Sequence, residues 1–178
     1  MATKVDTKPQ AADDKPAYRI NRKDIPTRKA RPSAAARDDV TMLVQCVYGQ
    51  ETSWMFAERG PDYHTRPHQH DAEQINYIVS GEIWFFVGGR GYRCGPGDVM
   101  RIPKDHVHWA WNRGTETAVV IESHAWPLIG NNPEARGISV PLLGPDENPE
   151  EVHYVVNKVI DMDPKEVAAI EARDYDGK

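Results

Sequence analysis

The sequence predicts an all-β protein built as one antiparallel sandwich or barrel, and three observations lead to that prediction. The chain has 178 residues and is 39% hydrophobic, which is enough to bury one core. Between Val40 and His124, short apolar runs alternate with turn residues, and glycine or proline separates several of them. The candidate strands are TMLVQCVY, SWMFAER, QINYIVSG, EIWFFVGG, YRCGPGDVMRIP, HVHWAWN and ETAVVIESHA.

The segments before the predicted barrel differ from it in composition. Residues 1–17 are rich in Lys, Asp, Ala and Pro with almost no large apolar side chains, which predicts a disordered tail. Residues 18–39 are basic, and their prolines interrupt any helix. They form either an extended arm laid over the barrel or over a second subunit, or a solvated linker. The predicted barrel covers residues 40–126.

Residues 127–178 follow the barrel and contain three predicted features. The first part is rich in Gly, Pro and other turn formers, which indicates a long ordered loop. The segment VHYVVNKV is a candidate strand. The segment DPKEVAAIEARD is a candidate C-terminal helix, with Asp163 as its N-cap and Pro164 at its first position.

Charge and hydropathy limit the partners and the compartment. The net charge of −5 argues against a nucleic-acid partner and favours a small molecule or a protein. No apolar run has the length of a membrane helix, and the N-terminus lacks the hydrophobic centre of a secretory signal. We therefore expect a cytoplasmic protein without a membrane partner. Cys46 and Cys94 lack a CxxC pattern, which indicates reduced thiols.

The histidines are spaced as metal ligands on strands would be. His68 and His70 are separated by one residue, so in an extended segment both imidazoles point to the same face. Gln74 begins the next apolar run and can face the same interior. Further along the chain, His106 and His108 repeat the spacing of two. A third imidazole from a different strand would complete a metal site.

These motifs resemble the cupin superfamily. Its first motif ends in HxH, three or four residues, an acidic or amide ligand, six residues and glycine, which here corresponds to His68, His70, Gln74 and Gly81. Its second motif resembles the segment from Gly97 to Asn112, although Asp105 stands where the family usually has glycine. The resemblance implies a single cupin barrel, a double-stranded β-helix of jelly-roll type, and the N-terminal arm and short C-terminal helix predicted above would flank it.

The resemblance also implies the ligand set. Gln74 occupies the usual glutamate position, and Glu73 precedes it. Cupins with the pattern HxHxxEQ use the glutamine, which selects His68, His70, Gln74 and His108 for one divalent metal. Glu73 would lie on the opposite pleat of the strand from Gln74. Alternatively, Glu73 itself is the ligand, or its carboxylate accepts a hydrogen bond from a ligand histidine.

A neutral ligand set shapes the expected chemistry. Three imidazoles and one amide leave the metal with its full charge and therefore make it a stronger Lewis acid. Such ligands suit Fe(II), Mn(II), Ni(II) or Zn(II), and Fe(II) is favoured here. The resemblance implies an enzyme acting on a small organic molecule, foremost an Fe(II) dioxygenase of an enol, diketone or phenol. The alternatives are a non-redox isomerase, cyclase or lyase, and a non-catalytic small-molecule-binding cupin.

Further residues complete the predicted site. Because Gln74 cannot act as a base, the proton-transferring group would come from another side chain, and the candidates are Glu73, His106, Tyr63 and Glu122. The aromatic segment HWAWN favours an aromatic or apolar substrate, and hence the dioxygenase. The candidate substrate-pocket residues are Trp84, Trp111, Arg101 and His124. Twofold symmetry is the commonest arrangement of homo-oligomers, so we expect a homodimer or a higher homo-oligomer.

Overall fold

The computed structural model describes residues 18–125, 139–148 and 155–173, and these residues confirm the all-β prediction. They contain twelve strands, a single-turn 3-10 helix at Arg22–Asp24 and one α-helix. No helix among them is long and apolar enough to cross a bilayer. The strands are β1 (Arg28–Ala30), β2 (Met42–Tyr48), β3 (Ser53–Arg59), β4 (His68–His70), β5 (Gln74–Ser80), β6 (Ile83–Val87), β7 (Arg90–Cys94), β8 (Val99–Ile102), β9 (His108–Trp111), β10 (Ala118–His124), β11 (Ser139–Pro141) and β12 (Asn157–Val159), and the helix is α1 (Pro164–Glu171).

The strands form two sheets that enclose the core. The larger sheet has the order β1-β2-β3-β10-β5-β8, with β11 parallel beside β2, and the smaller sheet has the order β12-β4-β9-β6-β7. Ile78 and Val120 of the larger sheet meet Phe85 of the smaller sheet in one buried cluster. The two layers around this cluster form the predicted barrel.

One strand prediction is wrong. The segment YRCGPGDVMRIP contains two strands, β7 and β8, which belong to different sheets. Gly97 has a φ of +94°, which suits glycine in a tight turn, and the carboxylate of Asp98 accepts a hydrogen bond of 2.8 Å from the backbone N–H of Gly95. This turn breaks the apolar run and sends the chain from one sheet to the other.

The predicted arm lies against the barrel of its own chain. Its strand β1 pairs with β2, and Ala35 forms an isolated bridge with Thr65. Ala34 and Ala35 are buried. The segment therefore contributes to one wall of the fold instead of extending into solvent. The predicted tail at 1–17 lies outside the described residues, as does most of the predicted loop after the barrel.

The predicted C-terminal helix is present as α1. Asp163 caps it by accepting a hydrogen bond of 2.8 Å from the backbone N–H of Lys165, and Pro164 occupies the first turn. Its buried Ile170 packs against the outer face of the smaller sheet. The carboxylate of Glu171 accepts a hydrogen bond of 2.9 Å from the indole of Trp109 and lies 3.0 Å from the imidazole of His64. The helix is thereby held against β9.

We expect Glu171→Ala to lower the free energy of unfolding by about 1–3 kcal/mol, because it leaves the buried indole N–H of Trp109 without its acceptor. Urea denaturation would measure the change. Glu166→Ala, at an exposed position of the same helix, is the matched control and should change stability by about 0.5 kcal/mol or less. Equal losses in the two variants would mean that the carboxylate of Glu171 does not hold the helix in place.

Candidate metal site

The ends of four strands bring the predicted metal ligands together. Within the two sheets, His68 of β4 lies opposite His108 of β9, and Gln74 of β5 lies opposite His124 of β10. These side chains and His70 line one cavity of about 400 Å³ between the sheets. The cavity has the size of a site for a small organic molecule.

Four imidazoles form one cluster in this cavity. The ring centroids of His68 and His108 are 4.2 Å apart, and those of His70 and His108 are 4.7 Å apart. His124, which the sequence places in the substrate pocket, has its ring centroid 5.4 Å from that of His70. Both ring nitrogens of His124 are buried without a hydrogen-bond partner. The structure therefore adds a fourth imidazole to the three predicted ones.

Hydrogen bonds fix the tautomers of the three predicted histidine ligands. In each ring, Nδ1 lies within hydrogen-bond distance of a backbone carbonyl oxygen, which can only accept. Nδ1 must therefore carry the proton, and Nε2 keeps its lone pair. Metal-binding histidines commonly have this arrangement. The acceptors for His68, His70 and His108 are the carbonyls of Arg66, Ala72 and His106, at 2.8, 2.6 and 2.9 Å respectively.

The amide of Gln74 is oriented in the same way. Its Nε2 donates to Oδ1 of Asn76 at 2.7 Å and to Oε2 of Glu122 at 3.2 Å, so its Oε1 points into the histidine cluster. This Oε1 lies 2.9 Å from Nε2 of His70. In the neutral ring with its proton on Nδ1, both facing atoms carry lone pairs that could bind one metal ion. The donor set therefore fits a divalent metal.

The side chains of the histidine cluster are not arranged closely enough to hold a metal ion without moving. In the described parts of the chain, no group of three or more His, Cys, Asp or Glu side chains is arranged as a metal site. Binding a metal would thus require the imidazoles to move closer together, with the amide of Gln74 as a further donor.

Burial favours the uncharged forms of His68, His108 and His124. Desolvation, reinforced by the neighbouring imidazole of His68, lowers the pKa of His108 to about 2. Desolvation also lowers the pKa of His68 to about 4, and His70 and Arg59 act in the same direction. The pKa of His124 lies well below its usual value, again mainly through desolvation. Neutral imidazoles are the form that binds metals, so protons do not compete for these groups at neutral pH.

Three predicted site residues lie away from the cavity. Glu73 and Arg101 form an ion pair on the outer face of the larger sheet, with Arg101 Nε 2.8 Å from the carboxylate, and both side chains are substantially exposed. This position agrees with the pleat argument, because Glu73 faces away from Gln74. His106 lies in the turn before β9, with its Nδ1 3.0 Å from the carbonyl oxygen of Lys104. Of the sequence-predicted bases, Tyr63 and Glu122 line the cavity.

The prediction that Trp84 and Trp111 line the substrate pocket is wrong. Both lie on the outer face of the smaller sheet, where Trp84 packs in the cluster that contains Ile170 and the ring of Trp111 stacks on His64 at 4.8 Å. The positions that line the cavity are taken by Phe85 on β6 and by His108 and Ala110 on β9. The alternation of residues along each strand therefore turns these tryptophans away from the metal site.

Arg59, which belongs to none of the sequence motifs, also lines the cavity. Its Nη2 forms an ion pair with Oε1 of Glu122, and both side chains are only 4% exposed. The alternation of residues along the strand SWMFAER could have identified Arg59, because it places this residue on the same face as the buried Ser53, Met55 and Ala57. A charged residue in phase with buried positions is a candidate site residue, because a buried charge needs a partner.

Comparisons with known proteins identify the fold. Residues 54–119 match the family model of the AraC-like ligand binding domain, a cupin-type domain. The polyketide cyclase RemF from Streptomyces resistomycificus has a similar structure, with a TM-score of 0.51 and 20% sequence identity. The superposition covers 60% of this chain and 77% of the RemF chain. A sugar phosphate isomerase of the cupin superfamily from Silicibacter pomeroyi is 13% identical and has a TM-score of 0.52. The superposition covers 62% of this chain and 76% of the isomerase chain.

No curated protein matches the chain in sequence. The described residues have the cupin fold, and the family-model match over residues 54–119 supports the resemblance to the cupin superfamily that the two motifs carry.

Proposed function

We propose that this protein is a metal-dependent cupin enzyme that acts on a small organic molecule and binds one divalent metal ion through His68, His70, Gln74 and His108. The observation that carries the proposal is the 2.9 Å contact between Oε1 of Gln74 and Nε2 of His70, two atoms that can both donate lone pairs to one metal ion. The fixed tautomers of the three histidines support the same ligand set. Fe(II), Mn(II), Ni(II) and Zn(II) all suit such donors.

The residues of the cavity favour a non-redox reaction, namely isomerisation, cyclisation or elimination. A bound divalent metal with neutral ligands supplies Lewis acidity that polarises a substrate carbonyl or hydroxyl. Tyr63 lines the same cavity, and its hydroxyl can donate the proton that such a reaction shifts. The aromatic argument for a dioxygenase no longer applies, because Trp109 and Trp111 of the segment HWAWN lie outside the cavity.

The same experiment distinguishes two alternative functions from the proposed one. An Fe(II) dioxygenase of an enol, diketone or phenol would use the same ligands and needs no proton-transferring side chain. A non-catalytic ligand-binding cupin is favoured by the description of the matching family model.

The deciding experiment is metal analysis of anaerobically purified protein, followed by assays against enols, catechols and uronates. We expect turnover with Zn(II) in the absence of oxygen. Oxygen uptake that requires Fe(II) would favour the dioxygenase, and saturable binding without turnover would favour the binding protein.

We also propose that the protein self-associates through the outer face of the larger sheet. Ile75, Tyr77 and Val79 of β5 are 39–45% exposed, and Val99 of β8, the register partner of Tyr77, is 65% exposed. Adjacent exposed apolar side chains on a sheet face are typical of an interface between subunits. A second copy of this chain offers the same face and would cover them in a twofold dimer.

Light scattering at micromolar concentration should therefore give a dimeric mass for the wild type. Tyr77→Glu should shift the protein towards the monomer, because it would bury a charge in the contact. Val156→Glu, at an apolar position that is 46% exposed elsewhere on the molecule, is the matched control and should leave the mass unchanged. A monomeric wild type would refute this contact.

A further inference from the structure

The cavity contains a buried ion pair that the metal ligands do not account for. Arg59, at the end of β3, and Glu122, on the paired strand β10, are each 4% exposed, and Nη2 of Arg59 contacts Oε1 of Glu122. The guanidinium lies over the ring of Tyr63, with its Cζ 4.9 Å from the ring centroid. Charged groups this deeply buried are costly unless their hydrogen bonds are completed.

The hydrogen bonds of Arg59 are incomplete. Its Nε and Nη1 are buried and have no hydrogen-bond partner. A guanidinium has five N–H donors and no acceptor, so it can serve a second anionic oxygen while it holds Glu122. Arg59 lines the same cavity as His68 and His70, so a rotation of its guanidinium would turn an unpartnered N–H towards a molecule bound there.

The charges of the cavity favour an anion. Arg59 and Glu122 compensate each other, and the histidines and Gln74 are neutral donors, so a divalent metal would leave the cavity with a surplus of positive charge. The positive charge of Arg59 is close enough to act on the imidazoles of His68 and His124. Much of the remaining lining is apolar and includes Met42, Val44, Met55, Phe85 and Ile102.

We propose that Arg59 is a specificity-determining residue that binds an anionic oxygen of the substrate, so that the enzyme acts on small organic anions with an apolar body, such as carboxylates or enolates. The substrate class rests on the proposed function, whereas the anion site itself rests on Arg59 alone. Glu122 is a positioning residue. Its two oxygens hold Arg59 and the amide of Gln74, and it therefore couples the anion site to the metal site.

The test measures binding without turnover. Fluorine NMR titrations compare 4-fluorobenzoate with its neutral analogue 4-fluorobenzamide, using the full chain after dialysis against EDTA and again after loading with zinc. In the metal-free wild type we expect the carboxylate to bind roughly tenfold more tightly than the amide, which is the effect of one charge-assisted hydrogen bond. Equal binding of the two probes would overturn the proposal.

Variants of the ion pair sharpen the test. Glu122→Gln should tighten fluorobenzoate binding several-fold and leave fluorobenzamide unchanged, because the carboxylate that competes for Arg59 is gone. The double variant Arg59→Gln/Glu122→Gln should lose the preference for the carboxylate. The control Arg101→Gln/Glu73→Gln removes an exposed ion pair on the outer face and should bind both probes like the wild type.

The outcomes separate this proposal from the proposed function. A carboxylate preference that survives in the double variant would overturn the role of Arg59, whatever the metal content. If the double variant does not fold, Glu122→Gln decides, and unchanged fluorobenzoate binding in that variant would overturn the proposal. If zinc does not bind but the metal-free protein prefers the carboxylate through Arg59, the anion site stands and the metal-dependent function fails.

Discussion

Replacing His108 by alanine is expected to remove the metal and the activity together. His108 lies opposite His68 across β4 and β9, and its imidazole is the donor that the second motif contributes to the cluster. Changes to groups that only support metal ligands cost roughly 10- to 100-fold in affinity, so loss of a ligand should cost at least that much. Metal content per chain, measured by mass spectrometry after dialysis, would show the loss.

The matched control for this variant is His106→Ala. His106 precedes His108 by two residues, is exposed and does not line the cavity. Its replacement should leave the metal content unchanged. Circular dichroism would verify that both variants keep the fold. If His108→Ala retains a full equivalent of metal, the second motif does not supply a ligand. The metal ligands would then have to be the other imidazoles of the cluster.

Acid is expected to destabilise the metal-free protein strongly, starting near neutral pH. The folded state depresses the pKa of His108 from 6.5 to about 2 and that of His68 from 6.5 to about 4. As the pH falls below 6.5, the unfolded chain takes up protons on these residues and the folded chain does not. Stability is therefore present above pH 6.5 and is lost as the pH falls towards the folded pKa values.

The size of this effect sets the experiment. A fully buried histidine should cost about 1.4 kcal/mol per pH unit below 6.5, hence about 2 kcal/mol by pH 5, and the partly exposed His68 should contribute less. Urea denaturation in EDTA between pH 7 and pH 5 avoids most carboxylate titration. The free energy of unfolding of His108→Gln should fall less steeply with falling pH than that of the wild type, by the equivalent of one proton. Identical slopes in the two proteins would contradict this account.

Local sequence signals predicted those parts of the structure that local geometry decides. The run SWMFAER is strand β3 to the residue, and the cap and proline at the start of α1 follow directly from Asp163 and Pro164. His68 and His70 extend towards one cavity because a strand alternates its faces. The same alternation correctly turned Glu73 away from Gln74.

The sequence could not decide which face of a strand is the inner one where both faces are buried. In β6 all five residues are buried, because α1 covers the outer face of the smaller sheet. Hydrophobicity therefore gave no reason to assign Trp84 outside and Phe85 inside. The pairing of Arg59 with Glu122 depends on the contact between β3 and β10, which are distant in sequence. The fourth imidazole, that of His124, reaches the cluster through the long-range pairing of β10 with β5, in which it lies opposite Gln74.

Replacing Gln74 by glutamate separates metal binding from Lewis acidity. The variant should keep the metal or bind it more tightly, because a carboxylate adds a negative charge to the ligand set. That charge should lower the Lewis acidity, so turnover should fall while the metal content does not. A variant that loses its metal would show that the orientation of the amide between Asn76 and Glu122 matters more than the charge of the donor.

The most direct test of the central claim is the metal stoichiometry of Gln74→Ala beside that of Glu73→Gln. Gln74 points its Oε1 at the imidazole of His70, whereas Glu73 is paired with Arg101 on the opposite face of the strand. We expect Gln74→Ala to lose most of its metal after dialysis and Glu73→Gln to retain one equivalent per chain. If Glu73→Gln empties the site and Gln74→Ala leaves it full, the ligand register is wrong by one residue, and the neutral metal site proposed here does not exist.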